Sequence, residues 1–127
     1  MTTKQRIKSR ALKLWYSKYL KSSCEICGST FVLQGHHFYY RSSYPQLTFS
    51  KDNHITLCRG HHFVLHTKDA KKIEEQIIAK RGNVWYNRLK KESQKPIVPG
   101  SNNAPYLKKI IKELGKDLKK ELEKVDE

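Results

Sequence analysis

All three cysteines and all six histidines of this 127-residue chain fall between positions 24 and 66. Four of them form two matched halves, Cys24-Glu25-Ile26-Cys27-Gly28 and Cys58-Arg59-Gly60-His61. Two ligands at that spacing can grip one ion from a tight turn, and a glycine after the first pair lets the turn close. Together they make a Cys₃His set with no open position, so the expected ion is a structural Zn²⁺ held by Cys24, Cys27, Cys58 and His61. Three cysteines cannot all pair with one another, which argues against a disulfide framework. A closed zinc site also staples a small domain whose apolar runs are few and short.

Five histidines lie outside that set: His36, His37, His54, His62 and His66. Adjacent residues at the end of a strand point to opposite faces, or diverge where the strand frays. Of His36 and His37, one can then bind a metal while the other faces a substrate. His62 and His66 stand one helical turn apart and can share an ion. This concentration predicts a second metal site, of a catalytic kind.

The chain carries 26 Lys and Arg against 12 Asp and Glu, a formal charge of +14. Such an excess predicts a polyanionic partner. Nucleic acid is the first expectation, because neutralising phosphates releases counterions with little demand on sequence. Residues 1–22 hold seven basic side chains and no acidic one, with Lys4, Arg6, Lys8, Arg10 and Lys13 among them. The longest apolar runs, such as Phe31-Val32-Leu33, are far shorter than the ~20 residues of a membrane span. Met1 is followed by a basic, polar segment rather than the apolar stretch of a signal peptide. A cytoplasmic, reducing environment is therefore expected, with no membrane partner.

Hydrophobic periodicity predicts an α+β chain in three segments. Residues 1–22 form a basic N-terminal helix, over about 4–21, that packs Leu14 and Trp15 on the core. Residues 23–66 form the metal-bearing core. Positions 30–33 are β-prone, Ile55 to Leu57 read as a second short strand, and a helix begins at Arg59. Residues 67–127 form a helical extension. A helix over 67–81 carries the stripe Ile73, Ile77 and Ile78 and stops at Gly82. A shorter helix from Asn83 turns Val84, Trp85 and Leu89 inward. Pro96, Pro99 and Gly100 mark a linker over 95–103. The last helix, over 104–125, spaces Leu107, Ile110, Ile111, Leu114, Leu118, Leu122 and Val125 three or four apart. That face is expected to bury against its own domain or against a second subunit, giving a monomer or a homodimer.

The run Cys24-x-x-Cys27, Gly35-His36-His37, Asp52-Asn53, Leu57-Cys58-x-x-His61-His62-x-x-x-His66 resembles the HNH endonucleases with a zinc-stapled ββα-metal fold. The nearest flavour is phage-type, similar to the NinG/Rap recombination nucleases, whose helical tails also resemble residues 67–125. His61 stands where many members have a fourth cysteine. The doubled His36-His37 is closer to the general and colicin-type HNH nucleases. The resemblance implies a small ββα-metal core with a structural zinc knuckle, flanked by helices, that hydrolyses DNA phosphodiester bonds to a 5′ phosphate and a 3′ hydroxyl. It makes His37 the general base, Asn53 the central asparagine and His62 the last histidine of the motif. His36, His62 and His66 become ligands of a catalytic divalent ion: Mg²⁺, Mn²⁺, Ni²⁺ or Zn²⁺. Asn53 is expected to tie the loop through backbone hydrogen bonds and so orient His37, with direct ligation as the alternative. Arg41 and Arg59 can bind flanking phosphates or be ordinary surface charge. His54 is expected at the surface or just behind the ligands. Two other readings are a Holliday-junction or branched-DNA resolvase and a zinc module that binds nucleic acid without cutting it.

Overall fold

The computed structural model describes the backbone of residues 2–97 and 103–125, and side chains as far as Gly115. Thr2 opens the first helix, α1 (Thr3–Lys18), with a reciprocal cap. Its hydroxyl accepts from the Gln5 amide at 3.2 Å, and the Gln5 side chain accepts from the Thr2 amide at 2.8 Å. Ala11 and Trp15 are buried along one face, while Leu14 is only half-buried. The helix ends three residues before the expected boundary, which leaves Leu20 outside it and 40% exposed.

The first strand, β1 (Leu33–His37), pairs antiparallel with β2 (His54–Cys58), in a register from Leu33 opposite Cys58 to His37 opposite His54. The expected first strand over 30–33 is therefore displaced by three residues. The knuckle closes through Cys24 N–H to Ser29 O at 2.8 Å, and Val32 then turns the chain at φ 50°. A β-branched residue in that region cannot continue a ladder, so pairing starts only at Leu33. Residues 38–53 join the strands and carry two 3₁₀ turns, Pro45–Leu47 and Lys51–Asn53.

From β2 the chain runs directly into α2 (Arg59–Thr67). The helix expected over 67–81 starts three residues later than expected and ends where expected, at Arg81 before Gly82. Asp69 caps this helix, α3 (Ala70–Arg81), by accepting from the Lys72 amide at 3.0 Å. Gly82, at φ 95°, breaks the chain before α4 (Asn83–Ser93). Trp85 and Leu89 of α4 are buried, but Val84, expected inward, is 80% exposed. Of the linker expected over 95–103, residues 98–102 lie outside the described residues. The chain resumes as α5 (Ala104–Val125). The described residues thus form an α+β arrangement of five helices around a two-stranded sheet. None of these helices is long and apolar enough to cross a membrane.

The core gathers Ile55 and Leu57 of β2, Leu65 of α2, Ile73 and Ile77 of α3, and Trp85 and Leu89 of α4. On the other face of the sheet lies α1. At Gly35 a Cβ atom would stand 2.6 Å from His54 Nε2 and 3.2 Å from a Tyr16 ring carbon, so only glycine lets the helix approach this closely. In turn α5 packs along α1, burying Leu107 and Leu114 inside the chain. Of the two burials expected for the last helix, these two leucines take the one against their own domain. The side chains of Leu118, Leu122 and Val125 lie outside those described. An ion pair fixes the knuckle to the helices: Arg81 reaches both Glu25 oxygens at 2.7 and 2.8 Å, and Lys21 adds a contact at 2.8 Å. Burial alone would raise the Glu25 pKa, but Arg81, Lys21 and the Thr56 amide overcome it and hold the carboxyl below its ordinary value.

Candidate functional site

The CxxC spacing folds into a tight turn closed by Gly28 N–H to Cys24 O at 2.9 Å, with Gly28 at φ 76°. Cys58 stands at the N-cap position of α2, and His61 sits in the first turn of that helix. The four predicted ligands converge. Cys27 and Cys58 sulfurs are 3.7 Å apart, and His61 Nδ1 lies 3.3 Å from Cys58 and 3.7 Å from Cys24. A tetrahedral zinc with its usual bond lengths has edges of about 3.75 Å between sulfurs and about 3.5 Å between sulfur and nitrogen. The donor set therefore has the dimensions of a structural zinc site. Burial resists ionisation of Cys24, but backbone N–H groups of Cys27, Cys58 and Ile26 overcome it and pull the thiol down to about 6. A thiolate ready at neutral pH is what the ion requires.

Alternation along β1 sends the adjacent histidines to opposite faces, as expected. His36 turns toward α2, where its ring centroid is 5.4 Å from that of His62 and 4.9 Å from that of His66. The candidate ligand atoms of His36, His62 and His66 all lie within 4.8 Å of one another. His62 Nε2 and His66 Nε2 are 2.9 Å apart. His36 Nε2 is buried and finds no hydrogen-bond partner among the described residues. Burial first, then the neighbouring imidazoles, push the His36 pKa down to about 3, so the ring is neutral. A neutral imidazole with a buried, unpaired nitrogen, on a ring set against two others, suits a metal ion. Two nitrogens at right angles on one ion, each about 2.1 Å away, stand about 3.0 Å apart. The set is all imidazole, which suits Zn²⁺ or Ni²⁺ better than Mg²⁺ or Mn²⁺.

His37 faces the other way, toward α1. It is 3% exposed and stacks on Trp15 with ring centroids 4.1 Å apart. Its Nε2 lies 2.8 Å from the Thr48 carbonyl oxygen. A carbonyl only accepts, so Nε2 carries the proton and Nδ1 is the free lone pair. That lone pair receives the Tyr16 hydroxyl at 3.2 Å. Burial and the nearby Arg41 charge, against the Thr48 bond, bring the His37 pKa down to about 4. Burial raises the Tyr16 pKa, so its hydroxyl keeps its proton.

Asn53 is fully buried and spends its side chain on the backbone. Oδ1 accepts from the Tyr39 amide at 2.7 Å, and Nδ2 donates to the carbonyls of Tyr39 and Leu47 at 3.0 and 3.1 Å. It ties the two ends of the interstrand loop together, Leu47 beside Thr48 included, and both ends of its amide are committed to the backbone. His54, expected at the surface or behind the ligands, is buried at 2% exposure. Its Nε2 donates to the Tyr16 carbonyl at 3.0 Å, anchoring α1.

A cleft of about 560 Å³ opens over these groups, lined by His36, His37, His66, Tyr16, Arg41 and Lys8 among others. A shallower one of about 620 Å³ is lined by His62, His66, Arg59 and Phe63. A third, of about 380 Å³, continues along α1 past Lys8 and Lys13 to Gln5. Arg41, Arg59, Lys8 and Lys13 are thus brought to the clefts. Lys4, Arg6 and Arg10 are exposed on α1 and line none of the three. Sequence reasoning missed Tyr16, Thr48 and Tyr40. Tyr16 and Thr48 meet His37 from 21 and 11 residues away. Tyr16 follows Trp15 on a helix read for its charge, and no local spacing marks it. Comparisons with protein-family models, with characterised proteins and with solved structures find no match for this chain.

Proposed function

We propose that the chain is a metal-dependent endonuclease of the HNH kind, hydrolysing DNA phosphodiester bonds. The observation that carries this reading is the His36 ring, with a buried, unpartnered Nε2, set against His62 and His66 in a cationic cleft that His37 also lines. Pure binding of nucleic acid needs no such set.

His36, His62 and His66 would hold the divalent ion, which would supply charge stabilisation to the reacting phosphate. The protein does the rest. Arg41 and Lys8 bind the flanking phosphate. The Thr48 carbonyl fixes the His37 tautomer and turns Nδ1 into the proton acceptor. Tyr16 lines the cleft and its hydroxyl occupies the Nδ1 lone pair, so the attacking water passes a proton to the Tyr16 hydroxyl as that hydroxyl gives its own to His37. The hydroxide forms the new bond to phosphorus, the bond to the 3′ oxygen breaks, and that oxygen takes a proton from solvent. The Cys24, Cys27, Cys58 and His61 zinc site fixes α2 to the knuckle and takes no part in the chemistry.

Cleavage of linear, nicked, supercoiled and four-way-junction DNA is measured with Mg²⁺, Mn²⁺, Ni²⁺ or Zn²⁺ added. Cutting is expected, strongest with Ni²⁺ or Zn²⁺. A zinc-loaded wild type that cuts none of these substrates with any ion overturns the reading and leaves a nucleic-acid-binding zinc module. Preference for the junction would favour the branched-DNA resolvase.

A further inference from the structure

We propose that the strand this cleft accepts is unpaired DNA, held by base stacking on Tyr40 and Phe63 at either side of the three-histidine cluster. This rests on the nuclease reading for its site but adds the class of substrate. The Tyr40 ring stands edge-on to His36, with centroids 5.7 Å apart, and is 41% exposed in the first cleft. Phe63 follows His62 on α2 and is 58% exposed in the neighbouring cleft with Arg59. The two clefts share His66. From the first, the groove past Lys8 and Lys13 continues along α1 and shares Lys8, Tyr16 and Arg41 with it.

The path is cationic throughout. Lys8, Lys13, Arg41 and Arg59 line it, and no aspartate or glutamate is among the lining residues of any of its three parts. Cations on a track select a phosphate backbone, duplex or not. Exposed aromatic rings on the same track select further. In a duplex both faces of every base are covered by its neighbours, and only edges are offered in the grooves. A single strand can splay its bases, and each base face can then lie on an aromatic ring between phosphate contacts. Scattered exposed aromatics are ordinary on a protein surface. These two border the same imidazole cluster from adjacent clefts, where the backbone must pass to be cut.

Binding of a labelled DNA strand, of the same strand annealed to its complement, and of the matching RNA strand is measured by fluorescence anisotropy. Ionic strength is kept equal, and no ion is added beyond one equivalent of Zn²⁺. The single DNA strand is expected to bind more tightly than the duplex. Tyr40→Ala and Phe63→Ala are each expected to weaken it by about 5- to 150-fold, the effect of removing one base–aromatic stack, and to leave duplex affinity unchanged. Phe63→Trp, which keeps a stacking face, should retain single-strand affinity. Both side chains are exposed, and unchanged zinc content and circular dichroism confirm that the variants fold. A duplex bound as tightly as the single strand overturns the inference, as do alanine variants that leave single-strand affinity intact. RNA bound more tightly than DNA overturns the choice of strand. A protein that binds in the expected way but cuts nothing keeps this inference and loses the nuclease reading. One that cuts DNA but binds both forms equally does the reverse.

Discussion

At the scale of single residues, the two adjacent histidines do different work because a strand alternates. His36 reaches α2 and the imidazole pair, while His37 reaches α1 and the loop. In the proposed nuclease, removing His37 takes away the proton acceptor and no metal ligand. His37→Ala should keep zinc content and DNA affinity while cleavage falls by about 10²–10⁴, the usual loss of a general base. His62→Ala should instead weaken the hold on the added ion, so that raising its concentration partly restores cleavage. Added metal should not restore His37→Ala. A titration of rate against metal concentration for both variants checks this contrast, and wild-type cutting by His37→Ala under every ion would remove it from the role of base. Tyr16→Phe keeps the ring that stands edge-on to His37 but removes the hydroxyl that donates to Nδ1. Its kcat should fall, by less than the His37→Ala loss, with KM unchanged. An unaltered kcat would mean that water gives its proton to His37 directly.

The elements hold these residues through two crosslinks around the knuckle, one built for a metal and one ionic. Cys24→Ser should release zinc and unfold the core, since a structural zinc site supplies folding energy outright. Metal analysis that found no zinc in well-folded wild type would refute the site. Glu25→Ala should leave the Arg81 guanidinium, 13% exposed in its ion pair, without its carboxylate. Breaking one partner of so buried a pair typically costs about 3–5 kcal/mol, readable in a denaturation curve monitored with zinc in excess. At this scale the sequence was legible where its signals were local. The ligand pairs are three or four residues apart, so Cys24, Cys27, Cys58, His61, His62 and His66 could be grouped on spacing alone. Strand β2 follows its apolar alternation, and α2 begins inside the second zinc half, directly after Cys58. Strand β1 was read three residues early because the turn at Val32 leaves no mark in composition. The start of α3 was read three residues early although Asp69, three residues ahead of the amide it caps, was a usable signal. Val84 is apolar and faces out, because Trp85 and Leu89 set the buried face of α4. Tyr16, Thr48 and Tyr40 meet the histidines only through the tertiary fold, and no spacing rule reaches them.

Across the whole molecule, the last helix braces the first, and the first completes the site. Leu107 is fully buried and Leu114 nearly so where α5 lies along α1, and Tyr106 of α5 comes within 6.4 Å of the Phe49 ring on the interstrand loop. On its inner side α1 presents Trp15 to His37, the Tyr16 hydroxyl to Nδ1, and the Tyr16 carbonyl to His54. The basic N-terminal segment is thus both a cationic surface and a wall of the cleft. Deleting residues 1–22 would remove charge and site together, so the loss of binding could not be assigned to phosphate contacts alone. A substitution in α5 separates the bracing from the charge, because it changes neither a cation nor a residue of the cleft. Leu107→Ala should destabilise the fold by about 2–5 kcal/mol, as large-to-small changes at buried leucines do. By loosening α1 it should also lower cleavage at temperatures where the variant is still folded. Its sedimentation mass should equal that of the wild type, since this leucine packs within its own chain. A wild-type dimer that Leu107→Ala converts to a monomer would show instead that the α5 face is shared between subunits, and α1 would then be held in place by a partner.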